Sequence, residues 1–296
     1  MKRTVAHISL ALAALLFASR ALGLSDPQDK DKSREIGRTT EKEIKVTLSS
    51  AFGTVVIRKG ESSKILLAES ASDKIDAQRM DINYAIRNRV GFMDLSLGEG
   101  EVEREGKHTS FKLQSFDRGK WFLKFSDAIP ISFDVELGVG RGDFNLTGLN
   151  VKDFNLSTGA SDVSLAFDEE NTGQIENLSI ESGVSKFDAR NLGNANFRHL
   201  SFQGGMGSYT LDFGGTMRNE VDVDIEVGLG LVTIIIPEET GARVMYEKSW
   251  VSKLDCDEDF ESTDENVYMS SNYHSASGRM NINIDSGLGS IKIRRR

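Results

Sequence analysis

One short phrase recurs along this chain and limits its fold more than any other feature. It is an apolar or small residue, a glycine, an apolar residue and a second small residue. It reads Leu137-Gly138-Val139-Gly140, Thr158-Gly159-Ala160-Ser161, Ser182-Gly183-Val184-Ser185, Gly204-Gly205-Met206-Gly207 and Val227-Gly228-Leu229-Gly230. A last copy, Ser286-Gly287-Leu288-Gly289, lies near the C-terminus, and a looser one, Ser50-Ala51-Phe52-Gly53, near the start. From Gly138 to Gly159, Gly183, Gly205 and Gly228 the steps are 21, 24, 22 and 23 residues. A near-constant period in the low twenties is the mark of a stacked, solenoid-like architecture.

The text around each phrase is strand text. Val163/Leu165/Phe167 and Tyr209/Leu211/Phe213 follow their phrases, and Phe154/Leu156 and Leu200/Phe202 precede theirs. Apolar residues at every second position mark half-buried strands. Each rung is therefore expected to hold about two short strands with Gly, Asn, Asp and Ser turns between them. Ile44/Val46/Leu48, Ile82/Tyr84 and Met93/Leu95/Leu97 carry the same pattern nearer the N-terminus. No stretch keeps a helical period, so the fold class is all-β. Equivalent positions in such a stack lie about 4.8 Å apart, and a glycine at a corner lets the backbone turn without a Cβ clash. The Val, Leu, Met or Phe beside each glycine is expected to stack inward. Val221 to Pro237, with Val227, Leu229 and Leu231 continuing one alternation, is the purest strand text of all.

The ends differ from this body. Met1-Lys2-Arg3, an apolar run from Ile8 to Ala18 and Ala21-Leu22-Gly23 have the layout of a signal peptide over residues 1–23, the alternative being an uncleaved anchor. Residues 24–42 are polar and charged and read as a disordered linker. Residues 43–128 read as an N-terminal β region. Residues 129–296 read as the repeat domain, with an acidic insertion at 238–277. The full chain carries a net charge of −9, and removal of residues 1–23 takes away Lys2, Arg3 and Arg20 and no acid, leaving −12. An acidic surface argues against nucleic acid and anionic membrane as partners. Cys256 is the single cysteine, so no intramolecular disulfide can form.

Motifs that would carry chemistry are few. Gly138-Val139-Gly140-Arg141-Gly142 lacks the following helix that a dinucleotide loop needs. No Gly-x-Ser-x-Gly elbow occurs. His108, His199 and His274 lack the spacing of metal ligands. Asp255, Asp257 and Asp259 alternate in a dense acidic run and are the one metal candidate, a weak calcium loop, because hard cations want several carboxylate oxygens together. The EF-hand template fails there, with Phe260 at its glycine position and Asn266 in place of the closing Glu, and a solvated acidic loop is the better reading. Acids around Cys256 should raise its thiol pKa. Asp143, Asp162, Asp188 and Asp212 fall near equivalent places in successive repeats and are the carboxylates that a glycan-active enzyme would use. They read first as turn residues. No catalytic residue and no cofactor site is assigned.

The text from Ile129 to Gly140, with Leu149-Asn150-Val151 and Leu156-Ser157-Thr158-Gly159-Ala160-Ser161, resembles the toastrack, or adhesin-like, domain. Arg279 to Ile291 is similar to the end of that domain and of LiaF-type envelope-stress proteins. The resemblance covers roughly Phe133 to Ile293, with an echo from Ile44 to Leu67. It implies a right-handed, single-stranded β-helix-like stack at the bacterial envelope, and it brings no catalytic residues. The chain departs from the LiaF pattern in lacking transmembrane helices. The expected function is that of an exported, non-enzymatic envelope protein, in the periplasm or at the surface of a bacterium, whose β surface serves adhesion or scaffolding. Its partner would be an envelope protein or a glycan, with self-association through the end rungs a further option. Alternatives are a modulator of envelope-stress signalling and a glycan-active enzyme on a β-solenoid. Arg294-Arg295-Arg296 would belong to a cap on the last rung.

Overall fold

The computed structural model describes residues 33–71, 80–98, 119–247 and 252–296. The signal peptide, most of the turn at Gly98 to His108, and Trp250 lie outside the described residues. Seven long strands form a parallel ladder: β2 (Glu43–Lys59), β7 (Ile131–Asn145), β8 (Val151–Ala166), β9 (Ile175–Arg190), β10 (Phe197–Asp212), β11 (Glu220–Ile236) and β16 (Arg279–Arg295). Every step of the ladder keeps the glycine phrases side by side, so that Ser50, Leu137, Thr158, Ser182, Gly204, Val227 and Ser286 form one row.

Each rung is one strand bent at its phrase, where two separate strands were expected. The bend has a clear signature in burial. In β8, Phe154, Leu156 and Thr158 point inward, and so do Val163 and Leu165. The inward set is even-numbered before the corner and odd-numbered after it. A step of five residues at the bend thus reverses the alternation, and both halves of the strand face the same core. Aromatic rings cross that core: Phe154 meets Phe144 at 6.2 Å, and Phe202 meets Tyr209 at 5.1 Å, each pair spanning the two halves. One hydrophobic cluster runs through the stack, from Ile44 in β2 to Ile293 in β16.

The glycine at each corner is required by the neighbouring rung. A Cβ on Gly183 would lie 2.7 Å from the Gly159 carbonyl oxygen, and one on Gly159 would lie 2.6 Å from that of Gly138. The one copy with a side chain here, Ala51, sits in β2, whose corner has no complete strand on its outer side: β5 (Val90–Leu97) pairs with the first half and β6 (Lys120–Phe125) with the second. The other end repeats this device. β12 (Gly241–Glu247) and β13 (Ser252–Cys256) lie against the first and second halves of β16. The C-terminal strand is therefore slotted between β11 and these two half-rungs.

Antiparallel strands close both ends. β3 (Lys64–Ser70) pairs with β6, β1 (Ser33–Gly37) with β3, and β4 (Met80–Arg87) with β5. At the far end β15 (Val267–Ser270) pairs with β12, and β14 (Phe260–Asp264) with β15. β1 falls within the stretch expected to be a disordered linker. Its side chains are mostly exposed, and only Ile36 packs on the core, so backbone pairing with the edge of β3 is what orders it.

On the side opposite the corners, short turns join the rungs and asparagines staple them. Asn171 Oδ1 accepts from Val151 N at 2.9 Å, while its Nδ2 donates to the carbonyls of Val151 and Gly173 at 2.8 and 2.9 Å. Asn194 repeats the theme one rung on, donating to the Phe167 carbonyl and accepting from Thr216 N. Buried turn backbone is satisfied this way where the ladder has ended.

Candidate functional site

The corner itself is the most distinctive surface. The residue after each corner glycine was expected to point inward, and it points outward. Phe52, Val139, Val184, Met206, Leu229 and Leu288 are between 38% and 61% exposed, and Ala160 completes their row. The cause is the reversed alternation. Because Gly183 and Val184 both lie on the outside of the bend, the side chain that a straight strand would bury is presented to solvent. Leu231 follows Leu229 outward, and burial resumes only at Val232. The result is an apolar ridge along the corner, one side chain per rung, aromatic at Phe52 and aliphatic from Val139 to Leu288.

A second row runs beside it. Glu136, Ser157, Glu181, Gln203, Glu226 and Asp285 are neighbours across the ladder and all face solvent, with Glu247 next to Asp285 in the following half-rung. Between this row and the ridge lies the line of corner glycines. The acidic row and these glycines line an open groove of about 870 Å³ with Gly138, Gly159, Gly183, Gly205, Gly228 and Gly287 along its floor, and the ridge follows on the far side of the glycines. The floor is low because no side chain can stand there without striking the adjacent rung. Ser157 Oγ donates to Glu181 at 3.4 Å. Among the described residues, Glu136, Glu181, Glu226 and Asp285 have no ion-pair partner, whereas Glu43, Asp143, Asp162, Asp212 and Glu220 each have a base. The groove is thus a strip of uncompensated negative charge with the apolar ridge one residue beyond its glycine floor.

The carboxylates picked out from the sequence lie elsewhere. Asp143, Asp162, Asp188 and Asp212 occupy the strand halves beyond the corner, and only Asp143 and Asp188 share a row, with Ser164 between them. The equivalence read from the repeat therefore fails for the other two. Each of the four has an arginine: Arg58 on Asp143 at 2.5 Å, Arg141 on Asp162 at 3.4 Å, Arg190 near Asp188 at 4.0 Å and Arg296 on Asp212 at 2.9 Å. Gly138 to Gly142 lies within β7, as strand. His199 stands 3.5 Å from Asp224, and His274 packs edge-on to Tyr273, far along the chain from it.

Asp255, Asp257 and Asp259 are drawn onto the C-terminal arginines. Arg294 reaches Asp255 at 2.6 Å and Asp257 at 3.4 Å, and Arg295 Nε lies 3.0 Å from Asp259. The Arg294 guanidinium holds the Asp255 carboxyl below the usual carboxylate range. No group of three or more His, Cys, Asp or Glu with metal-binding geometry occurs among the described residues. Asp255, Asp257 and Asp259, with Arg294 and Arg295, far apart in sequence, form one ion-pair cluster that fastens β13 and the following turn to β16, while Arg296 reaches back to Asp212. Cys256 sits between them, and burial, with Asp255 adding to it, pushes its thiol up to about 11.

Comparison with known proteins is consistent with this architecture. The family model for the N-terminal domain of toast_rack (DUF2154) matches residues 25–188 and 175–235, more than half of the chain. The chain belongs to the toast_rack family. The family match begins well ahead of Phe133, so it takes in the N-terminal strands that the sequence alone set apart as a weaker echo. β2, the first full rung of the ladder, lies within the matched residues. A candidate cell adhesion protein of known structure from Clostridium sporogenes is 18% identical, over 90% of this chain and 99% of that one, with a TM-score of 0.42. A candidate adhesin from Bacteroides fragilis is 14% identical, over 88% of this chain and 95% of that one, with a TM-score of 0.33. No curated protein matches the chain in sequence. No helix among the described residues is long and apolar enough to cross a membrane.

Proposed function

We propose that this toast_rack protein is exported and works without catalysis at the bacterial envelope, as an adhesin-like scaffold that holds its partner along the solenoid corner. The observation that carries this reading is the ridge. Aliphatic side chains on successive rungs face solvent in one continuous row, and a contiguous apolar strip rimmed by polar residues is what a contact surface requires. Scattered exposed apolar residues would carry no such meaning. The signal-peptide layout of residues 1–23 supports export. The pairing of Asp143, Asp162, Asp188 and Asp212 with arginines supports a structural use of those carboxylates over acid–base work.

The test is co-sedimentation of the purified protein with envelope fragments, alongside the triple variant Val184→Ser, Met206→Ser, Leu229→Ser. The unaltered protein should pellet with the envelope and the variant should stay in solution. Equal pelleting would remove the ridge from the contact. Release of reducing ends from envelope glycan by the purified protein would overturn the non-enzymatic reading.

A further inference from the structure

We infer that the corner groove takes an extended, cationic polypeptide segment, lying along the solenoid axis, whose basic side chains meet the acidic row and whose aliphatic side chains meet the ridge. The inference rests on the reading of the corner as the contact surface and adds the chemistry of the partner. Three features select it. The charge is one-sided: Glu136, Glu181, Glu226 and Asp285 face the groove with no base opposite them among the described residues, so the complement is cationic and an anionic lipid surface is repelled.

Across the six rungs of the glycine floor the apolar row is aliphatic, with Phe52 one rung beyond its end. Val139, Val184, Met206, Leu229 and Leu288 offer no flat aromatic face on which a sugar ring would stack, and among the described residues no aromatic side chain lines the groove. Aliphatic contact and cationic charge occur together in a polypeptide and not in a neutral glycan. The dimensions fit as well. The glycine floor crosses six rungs, about 24 Å at about 4.8 Å per step, which accommodates roughly seven residues of extended chain at about 3.3 Å each. Rung β8 has the smallest corner of the six, with Ser157 in the acidic row and Ala160 in the ridge. It leaves a notch between Val139 and Val184 where one large side chain of the partner can seat.

A fluorescein-labelled octapeptide of alternating Lys and Leu, titrated against the full chain by anisotropy, tests this. It should bind, while octapeptides of alternating Glu and Leu or Lys and Ser should not. Affinity should fall about tenfold in Glu181→Gln/Glu226→Gln and again in Val184→Ser/Leu229→Ser, and rising salt should weaken it. The variant Glu258→Gln/Glu265→Gln, on the exposed acidic turn, should bind as the unaltered protein does. Equal loss in that control would reduce the binding to diffuse charge attraction and overturn the inference. Full binding by the ridge variant, or binding of a neutral N-acetylglucosamine hexamer in the peptide's place, would overturn it too. If no octapeptide binds while the ridge variant still loses the envelope, the partner class falls and the contact surface stands; if both fail, both fall.

Discussion

Met206 stands beside Val184 in the parallel ladder, and both side chains face water at a bend where the sequence pattern would place them in the core. Leaving aliphatic carbon exposed gains the fold nothing. Serine at either position should therefore change stability by less than about 0.5 kcal/mol, the usual range for surface substitutions. Urea titration checks this, and it makes the ridge variants clean probes of binding.

The corner glycines behave oppositely. Gly183→Ala introduces a methyl group 2.7 Å from the Gly159 carbonyl oxygen. Relieving that clash must push two rungs apart, and a loss of about 1–3 kcal/mol is expected. Ala51→Gly, at the terminal copy, lacks this effect and should change stability only through chain entropy, by less than about 1 kcal/mol. Similar losses for the two substitutions would contradict the stacking explanation.

Asn171→Ala removes the acceptor for Val151 N–H and the donor to the Val151 and Gly173 carbonyls. The Val151 groups are buried, and leaving them unpaired should cost about 1–3 kcal/mol. Asn171→Asp keeps the acceptor and loses the donor, and it should be no better tolerated. Denaturation midpoints measured for both variants decide the point.

Arg295 holds the far end together. Its side chain is 7% exposed and donates to the carbonyls of Thr240 and Glu238 at 2.9 and 2.8 Å, beside its ion pair with Asp259 and the Phe260 ring. Arg295→Met should cost about 2–3 kcal/mol. It should also raise amide exchange in β14 before the central rungs respond. Uniform exchange along the stack would show that the arginine does not fasten this end.

Cys256 gives a pH-dependent readout. Burial raises its thiol to about 11, so at pH 8 to 9 the folded protein should react slowly with a disulfide reagent and the denatured protein quickly. The sign for stability follows. The folded state keeps the thiol proton above the point where the unfolded chain, at about 8.5, releases it. This contribution to stability therefore declines as pH rises from about 8.5 toward 11. A Cys256→Ser variant should lose that part of the alkaline decline.

Much of the fold was legible in the text, and the reason is the repeat. The period placed the rungs, and the last glycine phrase, Ser286-Gly287-Leu288-Gly289, marked β16 as a return to the ladder. Other features were hidden for specific physical reasons. Val227, Leu229 and Leu231 read as one inward row because the bend's reversal of alternation leaves no mark in residue type. β1 was missed because backbone pairing orders it with little apolar burial. The join between Asp255, Asp257, Asp259 and the C-terminal arginines depends on β13 lying beside β16, a contact between positions far apart in sequence. The acidic row was hidden for a related reason. Glu136, Glu181 and Glu226 each look like ordinary strand-surface residues until the register sets them in line.

The central claim is that the corner ridge is where this toast_rack protein meets its partner, and site-specific photocrosslinking in cells tests it most directly. A photoreactive residue is placed at Val184 on the ridge, and another at Thr233 on the strand half beyond the corner. The account predicts a discrete crosslinked product from position 184 and none from position 233. Equal crosslinking from both positions, or a product from position 233 alone, would contradict it.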